Sequence, residues 1–520
     1  MTRARLSSFI FYPSVFLLLL SAFCLLIAFL PLPLPPYLDF QVLYHADLGL
    51  LQGIPLYDRA GQAEMIANLA GVTPDHVFVL PFPYPPWYAL STIFLALLPI
   101  AVAARLWFGL NLSMLMISVW LLTDGWHPRK RLASFLIAIL FLPVLGSLFV
   151  GQFIFPVLLG ASLLTFSLRR ENVPLTALAA ALLTFKPHLG GPLAGAALIY
   201  LFLRRDDFSR RARTAILVTA LLLFAVGFLA DPNWPVNYLH SLLGFRDMPG
   251  VASCGLCASL PVALVGLVTG QTSIVPALPL GAALFIVLFG ALFLFRREVF
   301  RTPESLVAAS VLVALLADPY LLNYDFALLL APLFLLRCAA RRVDWIWLIL
   351  AYLLPLLLLG LLGRGGSLYL PLAALLLFGL LLVRAQFPLC ESSAKKSLNA
   401  KTTRLMQSDS HFGSDCHFAH ANCYEIRWAR DWPNAALTRQ DDIMGNILPH
   451  KTYRRLGLQT LTEDRCGKEK PGGQRLLGRY STAHGRKHRQ RRTLQTSNSR
   501  RASVPQQPWF RTYPPGGARE

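Results

Sequence analysis

PYLDFQVLYHADLGLLQGIPLYD, residues 36–58, opens the longest well-punctuated polar stretch between two apolar segments of membrane grade, and FPYPPW, residues 82–87, closes it. Pro31, Pro33, Pro35 and Pro36 stop the helix that precedes it, because proline lacks the amide donor and clashes with the turn before it. Upstream, the apolar run 9–30 follows Thr2-Arg3-Ala4-Arg5. Its charge order is that of a signal peptide. The apolar core is too long for one and no small-residue cleavage site follows, so it reads as a retained signal anchor with a cytoplasmic N-terminus. Residues 31–86 are then an extracytoplasmic loop, with a short surface helix expected over 59–71.

The same grammar repeats downstream. The chain has 520 residues, 55% hydrophobic and only 14% charged, where a soluble domain carries about 25% charged residues. Apolar runs recur from Ser8 to Val383, which predicts an all-α polytopic membrane protein; a β-barrel would show short alternating segments instead. The net charge of +21 sits in short clusters between the runs and again in a polar tail. Such clusters orient a membrane protein and do not by themselves imply nucleic acid.

Spans are expected at 9–30, 102–122, 132–149, 153–168, 174–186, 190–203, 214–230, 274–295, 305–317, 326–337, 345–362 and 367–383. Residues 87–99 are expected as a short helix lying on the outer surface, because a second crossing there would carry Pro128-Arg129-Lys130-Arg131 outside. This gives about 12 transmembrane helices, give or take two, with both termini cytoplasmic and every basic cluster except Arg364 on one side. The loop 231–273 holds another weakly apolar piece. Spans 174–186, 190–203, 305–317 and 326–337 are short for a hydrocarbon core of about 30 Å. Polar turns inside the membrane are tolerated where they line a cavity, so Lys186 and the turn Asp318 to Asp325 are expected to face a common outer cavity.

After residue 384 the character changes. Residues 391–520 contain no apolar run, and Lys and Arg outnumber Asp and Glu. The expectation for 385–520 is a basic, disordered cytoplasmic tail. It is either a non-homologous extension or a polybasic segment lying on anionic lipid. Cys254 and Cys257 have CxxC spacing without a thioredoxin-like context, and read as a local disulfide or two free thiols. Cys416, His417, His420 and Cys423 do not follow a standard zinc spacing. No metal and no cofactor is predicted, and the basic tail lacks a nucleic-acid fold.

Five stretches resemble glycosyltransferase family 87 in the same order: residues 39–58, FPYPPWYALSTIFLALLPIAVAARLWFGLN (82–111), VGQF (150–153), LLTFKPHLGG (182–191) and ADPYLLNYDFALLLAP (317–332). The resemblance covers roughly 37–335 of a domain taken as 1–384. It is similar to the polyprenyl-phosphate-mannose-dependent mannosyltransferases. It implies a GT-C-like bundle with a large first extracytoplasmic loop. The reaction implied is inverting hexosyl transfer, mannose among the candidates, from a polyprenyl phosphate donor to a glycan or glycolipid acceptor. It would run on the outer face of a bacterial inner membrane. A transporter or flippase of a lipid-linked sugar is the alternative; it calls for broken helices in two repeated halves, and no internal repeat is visible.

The family's catalytic Asp lies in the first loop, and Asp39 of the DF pair is the matching position. A carboxylate suits the task, since an acceptor hydroxyl must lose its proton as it attacks C1. Otherwise Asp39 caps a helix starting at Phe40. Lys186, in a polar turn between apolar helices, is the expected phosphate partner, with snorkelling to the interface as the bland reading, and His188 assists it. Gln152 contacts the donor or makes an interhelical hydrogen bond. Of Asp318, Asn323, Tyr324 and Asp325, one or two bind sugar hydroxyls and the rest cap helices, and Asp58 binds substrate or stabilises the IPLYD turn. Tyr84, Trp87 and Trp107 read as interfacial anchors.

Overall fold

Proline and glycine set most helix boundaries. The computed structural model describes residues 38–77, 79–246, 257–270, 272–294, 301–337, 343–356 and 369–386, with the isolated residues 22, 26 and 27. The expected signal anchor 9–30, the tail 391–520, Cys254 and the Cys416–Cys423 group lie essentially or wholly outside the described residues.

The first loop folds as α1 (Leu38–Leu51) and α2 (Arg59–Ala70), joined through Gly53 in the left-handed region at φ 78°. Helix α3 (Pro86–Thr92) starts on its proline and runs into a 3-10 turn, Ile93–Leu97, before Pro99 opens α4 (Ile100–Leu122). A short helix followed by one long span is the arrangement expected for 87–122.

Next come α5 (Pro128–Leu140), α6 (Leu142–Val150), α7 (Ile154–Arg170), α8 (Val173–Leu183), α9 (Pro187–Leu203) and α10 (Asp207–Gly227). Beyond them lie α11 (Trp234–Arg246), α12 (Leu260–Thr269), α13 (Ile274–Leu294) and α14 (Pro303–Ala317). A 3-10 stretch, Asn323–Leu329, leads into α15 (Leu330–Arg337), followed by α16 (Asp344–Leu353) and α17 (Tyr369–Gln386). The described residues contain no strand; Cys257 and Leu322 form an isolated antiparallel bridge.

The span expected as one helix over 132–149 is corrected: α5 and α6 meet at a bend of 64°. Pro143 in the first turn of α6 lacks the amide a continuous helix would need, and Phe141 takes up extended backbone at ψ 118°. By length and composition α4 and α13 can each cross a membrane, and the bent pair α5–α6 makes a third if it is one span. Several shorter apolar helices, among them α8, α9, α12 and α14, are 10–17 residues long, short of the roughly 20 that a full crossing takes. A count of twelve crossings is therefore not delivered by helix length among the described residues.

Two helices form the centre. In α7 and α14 nearly every apolar side chain is buried, as expected of a helix that is hydrophobic all round. Helix α7 packs on α4 and α8, and α14 on α9, α13, α15 and α17. Outward apolar side chains are abundant: Leu221 and Leu222 of α10 and Ile286, Val287 and Leu294 of α13 are at least 60% exposed, a surface suited to lipid rather than water. A smaller cluster ties the first loop to the bundle through Phe40, Leu43, Tyr84, Tyr88, Trp107 and Phe153.

Candidate active site

Helix α1 carries Asp39 in its first turn, one residue inside the helix start at Leu38, so it does not precede a helix beginning at Phe40. Its Oδ2 accepts a hydrogen bond from Gln152 Nε2 at 2.7 Å. Gln152 is held for this purpose. Helix α6 ends at Gly151, whose φ of 72° favours glycine. The Gln152 side-chain oxygen accepts from Phe153 N at 2.8 Å, which turns its amino group toward Asp39. Trp107 Nε1 donates to Gly151 O at 2.9 Å and pins the same corner. Trp107 is 2% exposed and Tyr84 8%, so both are core residues and the anchor reading is corrected for them. Trp87 is half-buried and donates to Thr184 Oγ1 at 2.9 Å.

Burial pushes the Asp39 carboxyl above its ordinary range. The Gln152 donor, the Lys186 charge and the Tyr324 hydroxyl pull it back in part, while the Asp325 charge adds to the rise.

Lys186 stands at the start of α9, 4% exposed. The turn that holds it is tight: a Cβ on Gly190 would lie 1.9 Å from Leu183 O, so α8 and α9 approach too closely for any side chain. The Lys186 ammonium bonds Asp325 Oδ1 and lies 5.6 Å from the Tyr324 ring centre. Asp325 Oδ2 accepts from Leu322 N at 3.0 Å. The turn is braced from outside, with Ala258 N donating to Leu321 O at 2.8 Å and Ser259 Oγ to Asp318 O at 2.9 Å. Cys257, at the edge of that brace, is disulfide-bonded.

The expected residues therefore separate. Gln152, Lys186 and Asp325, all buried, gather with the half-buried Asp39 and Tyr324 in one cluster. His188 lies one half-turn further along α9, its Nε2 3.9 Å from Asp318 Oδ2. Asn323 is exposed, with no described side-chain bond. Asp58 is exposed and caps α2, accepting from Gly61 N at 3.1 Å; no described contact joins it to the cluster.

Sequence reasoning missed Asp47, and it had Asp318 only among the turn residues expected to bind sugar or cap helices. Asp318 is half-buried with its side chain largely covered, one oxygen bonded by Tyr320 N at 2.8 Å and the other without a hydrogen bond. Asp47 is fully buried, with the Thr92 hydroxyl beside it.

The family model for Glycosyltransferase family 87 matches residues 82–322. That span contains Gln152, Lys186, His188 and Asp318, ends just before Asn323 and begins after Asp39. No curated protein and no solved structure matches the chain. With apolar helices of membrane grade around this cluster, residues 82–322 carry a likeness to glycosyltransferase family 87, which supports a glycosyltransferase.

Proposed function

We propose that this enzyme moves a hexosyl unit, with mannose the first candidate, from a polyprenyl phosphate to a glycan or glycolipid acceptor. It does so at the extracytoplasmic face of a bacterial inner membrane. The observation that carries the reading is the single buried cluster that joins a carboxylate from the first loop to a lysine at a helix start. The two chemical needs of the reaction are a base for the acceptor hydroxyl and a cation for the departing phosphate.

In this reading the acceptor oxygen attacks C1 from the face opposite the phosphate. The new C1–O bond forms as the old C1–O(phosphate) bond breaks, and the hydroxyl proton passes to Asp39. One displacement inverts the anomeric centre. The phosphate leaves with the electron pair. Lys186, which has donors beyond the one given to Asp325, stabilises it, and His188 assists. Gln152 keeps the Asp39 carboxylate oriented, and Tyr324 and Asp325 close the site around the sugar.

The test is a transfer assay with purified protein and a panel of polyprenyl phosphate sugars. Asp39→Asn is expected to lower turnover by about 10²–10⁴-fold, the usual worth of a positioned base, while the protein still elutes as a folded species. Full activity in that variant removes Asp39 from the mechanism. Movement of lipid-linked sugar across proteoliposomes without covalent transfer replaces the enzyme reading with transport.

A further inference from the structure

Asp47 is a buried acid that the transfer chemistry leaves unused. Helix α1 carries it about 12 Å beyond Asp39, eight residues along at 1.5 Å each. Its side chain is 0% exposed. Helix α3 faces it with Tyr88 and Thr92, which lie one helical turn apart. The Thr92 hydroxyl is beside the carboxyl. Tyr88 is equally covered, its own hydroxyl is enclosed without a hydrogen bond, and it feels the Asp47 charge.

An ionised carboxylate in such a place needs a cation or several donors, and the elements packed on α1 supply no cation. They are chiefly α2, α3, the 3-10 stretch Ile93–Leu97, α4 and α6. The charged residues of α2, Arg59 and Glu64, are exposed. Helix α3 offers only the Tyr88 phenol, and neither α6 nor the 3-10 stretch carries a titratable group. Arg105 of α4 leaves a buried Nε without a hydrogen bond and forms no ion pair among the described residues. On α1 itself, Asp39 is a second acid, Tyr44 gives its hydroxyl to Leu98 O at 2.8 Å, and burial holds the His45 ring toward its neutral form. Burial accordingly pushes the Asp47 carboxyl well above the ordinary carboxylate range, and the Thr92 hydroxyl offsets part of the rise.

Asp47 bears on the site through Tyr88. That ring stacks on Phe185 at 4.6 Å and meets Phe153 edge-on at 5.3 Å. Phe185 precedes Lys186, and Phe153 follows Gln152, the donor that orients Asp39. The contact between α1 and α3 thus supports both halves of the cluster. We propose that Asp47 is a positioning residue that works as the neutral acid: with its proton in place α1 seats on α3, and loss of that proton unseats the helix that carries Asp39. Turnover then has an alkaline limit built into the fold. The kinetic part rests on the transferase reading; the protonation of Asp47 rests on the packing alone.

The test compares the full chain with Asp47→Asn in an ester-free detergent. Infrared spectroscopy at neutral pH is expected to show a carboxylic-acid carbonyl band that the variant lacks. Absence of that difference means an ionised Asp47, compensated by a bound ion or by Arg105, and overturns the proposal. Unfolding by denaturing detergent gives a second reading. The folded chain holds this proton, while the unfolded chain releases it above the ordinary 3.8. The wild-type unfolding constant is therefore expected to rise against that of Asp47→Asn by about tenfold per pH unit, and to run level once Asp47 ionises in the fold. Parallel curves at every pH overturn the proposal. In the transfer assay, wild-type kcat is expected to fall on the alkaline side with KM little changed, and Asp47→Asn to lose that limb. Thr92→Val removes a group that favours the ionised form and should move the limb to higher pH. An alkaline limb that persists unmoved in Asp47→Asn overturns the positioning role. If the wild type transfers sugar from no donor, the transferase reading falls, and the infrared and unfolding results still decide the proton on Asp47.

Discussion

The buried pair between Lys186 and Asp325 is open to a quantitative test. Lys186 is 4% exposed and Asp325 1%, so neither charge can be rehydrated if its partner is removed. Breaking such a pair from one side leaves an uncompensated buried charge and costs about 3–5 kcal/mol. Lys186→Met and Asp325→Asn are each expected to lose that amount, which for a large domain lowers the melting temperature by on the order of 10 °C. Asp325→Asn keeps an acceptor for Leu322 N, so its loss reports the charge and not the turn. The double variant carries no unpaired charge and is expected to recover most of the stability. Its binding of polyprenyl phosphate is expected to stay weak, because the ammonium is gone. Thermal unfolding of the detergent-solubilised protein followed by size exclusion reads the first quantity, and titration with labelled polyprenyl phosphate the second. The reasoning is refuted if the single variants cost less than about 1 kcal/mol, a value typical of an exposed pair, or if the double variant is as unstable as the worse single one. Wild-type lipid binding in the double variant removes Lys186 from the phosphate site.

Three further outcomes follow from the geometry. Asp39 must be ionised to accept a proton, so kcat/KM is expected to fall as pH drops through its raised pKa, above the ordinary 3.8. Gln152→Met removes a donor that favours the ionised form and should move that acid limb to still higher pH; an unmoved limb shows that Asp39 is not the titrating group. Gly190→Ala drives a methyl group into Leu183 O and is expected to cost about 1–3 kcal/mol or more, read as a lowered melting temperature; an unchanged value would contradict the closeness of α8 and α9. Asp58→Ala should cost about 1 kcal/mol through loss of the α2 cap. Asp58→Asn, which still caps, should be nearly neutral in stability, so a fall in turnover for Asn alone would reveal a substrate contact.

What could be read from the sequence was mostly punctuation. Pro86, Pro187 and Pro303 each open a helix, and the surface helix expected over 59–71 is present over 59–70. Hydropathy alone cannot show a break inside an apolar run, so the bend at Phe141 was hidden although Pro143 marked it. Asp39, Gln152 and Lys186 were each visible as a polar residue in an apolar context. That the first two share a hydrogen bond was not, because they are 113 positions apart and meet only through packing. Trp107 and Tyr84 misled because an aromatic residue near a helix end looks the same whether it faces headgroups or a core. Asp47 escaped because nothing local distinguishes a buried acid from an exposed one.

The strap at residues 257–259 has a mechanical consequence. The Asp318–Leu322 segment is stitched to it by two hydrogen bonds and a bridge, and the segment's next residues carry the lysine's counter-ion. Loss of the strap's two hydrogen bonds would therefore release the segment whose Leu322 amide bonds the Asp325 carboxylate. The carboxylate that Lys186 holds thus sits on a segment braced from outside α9.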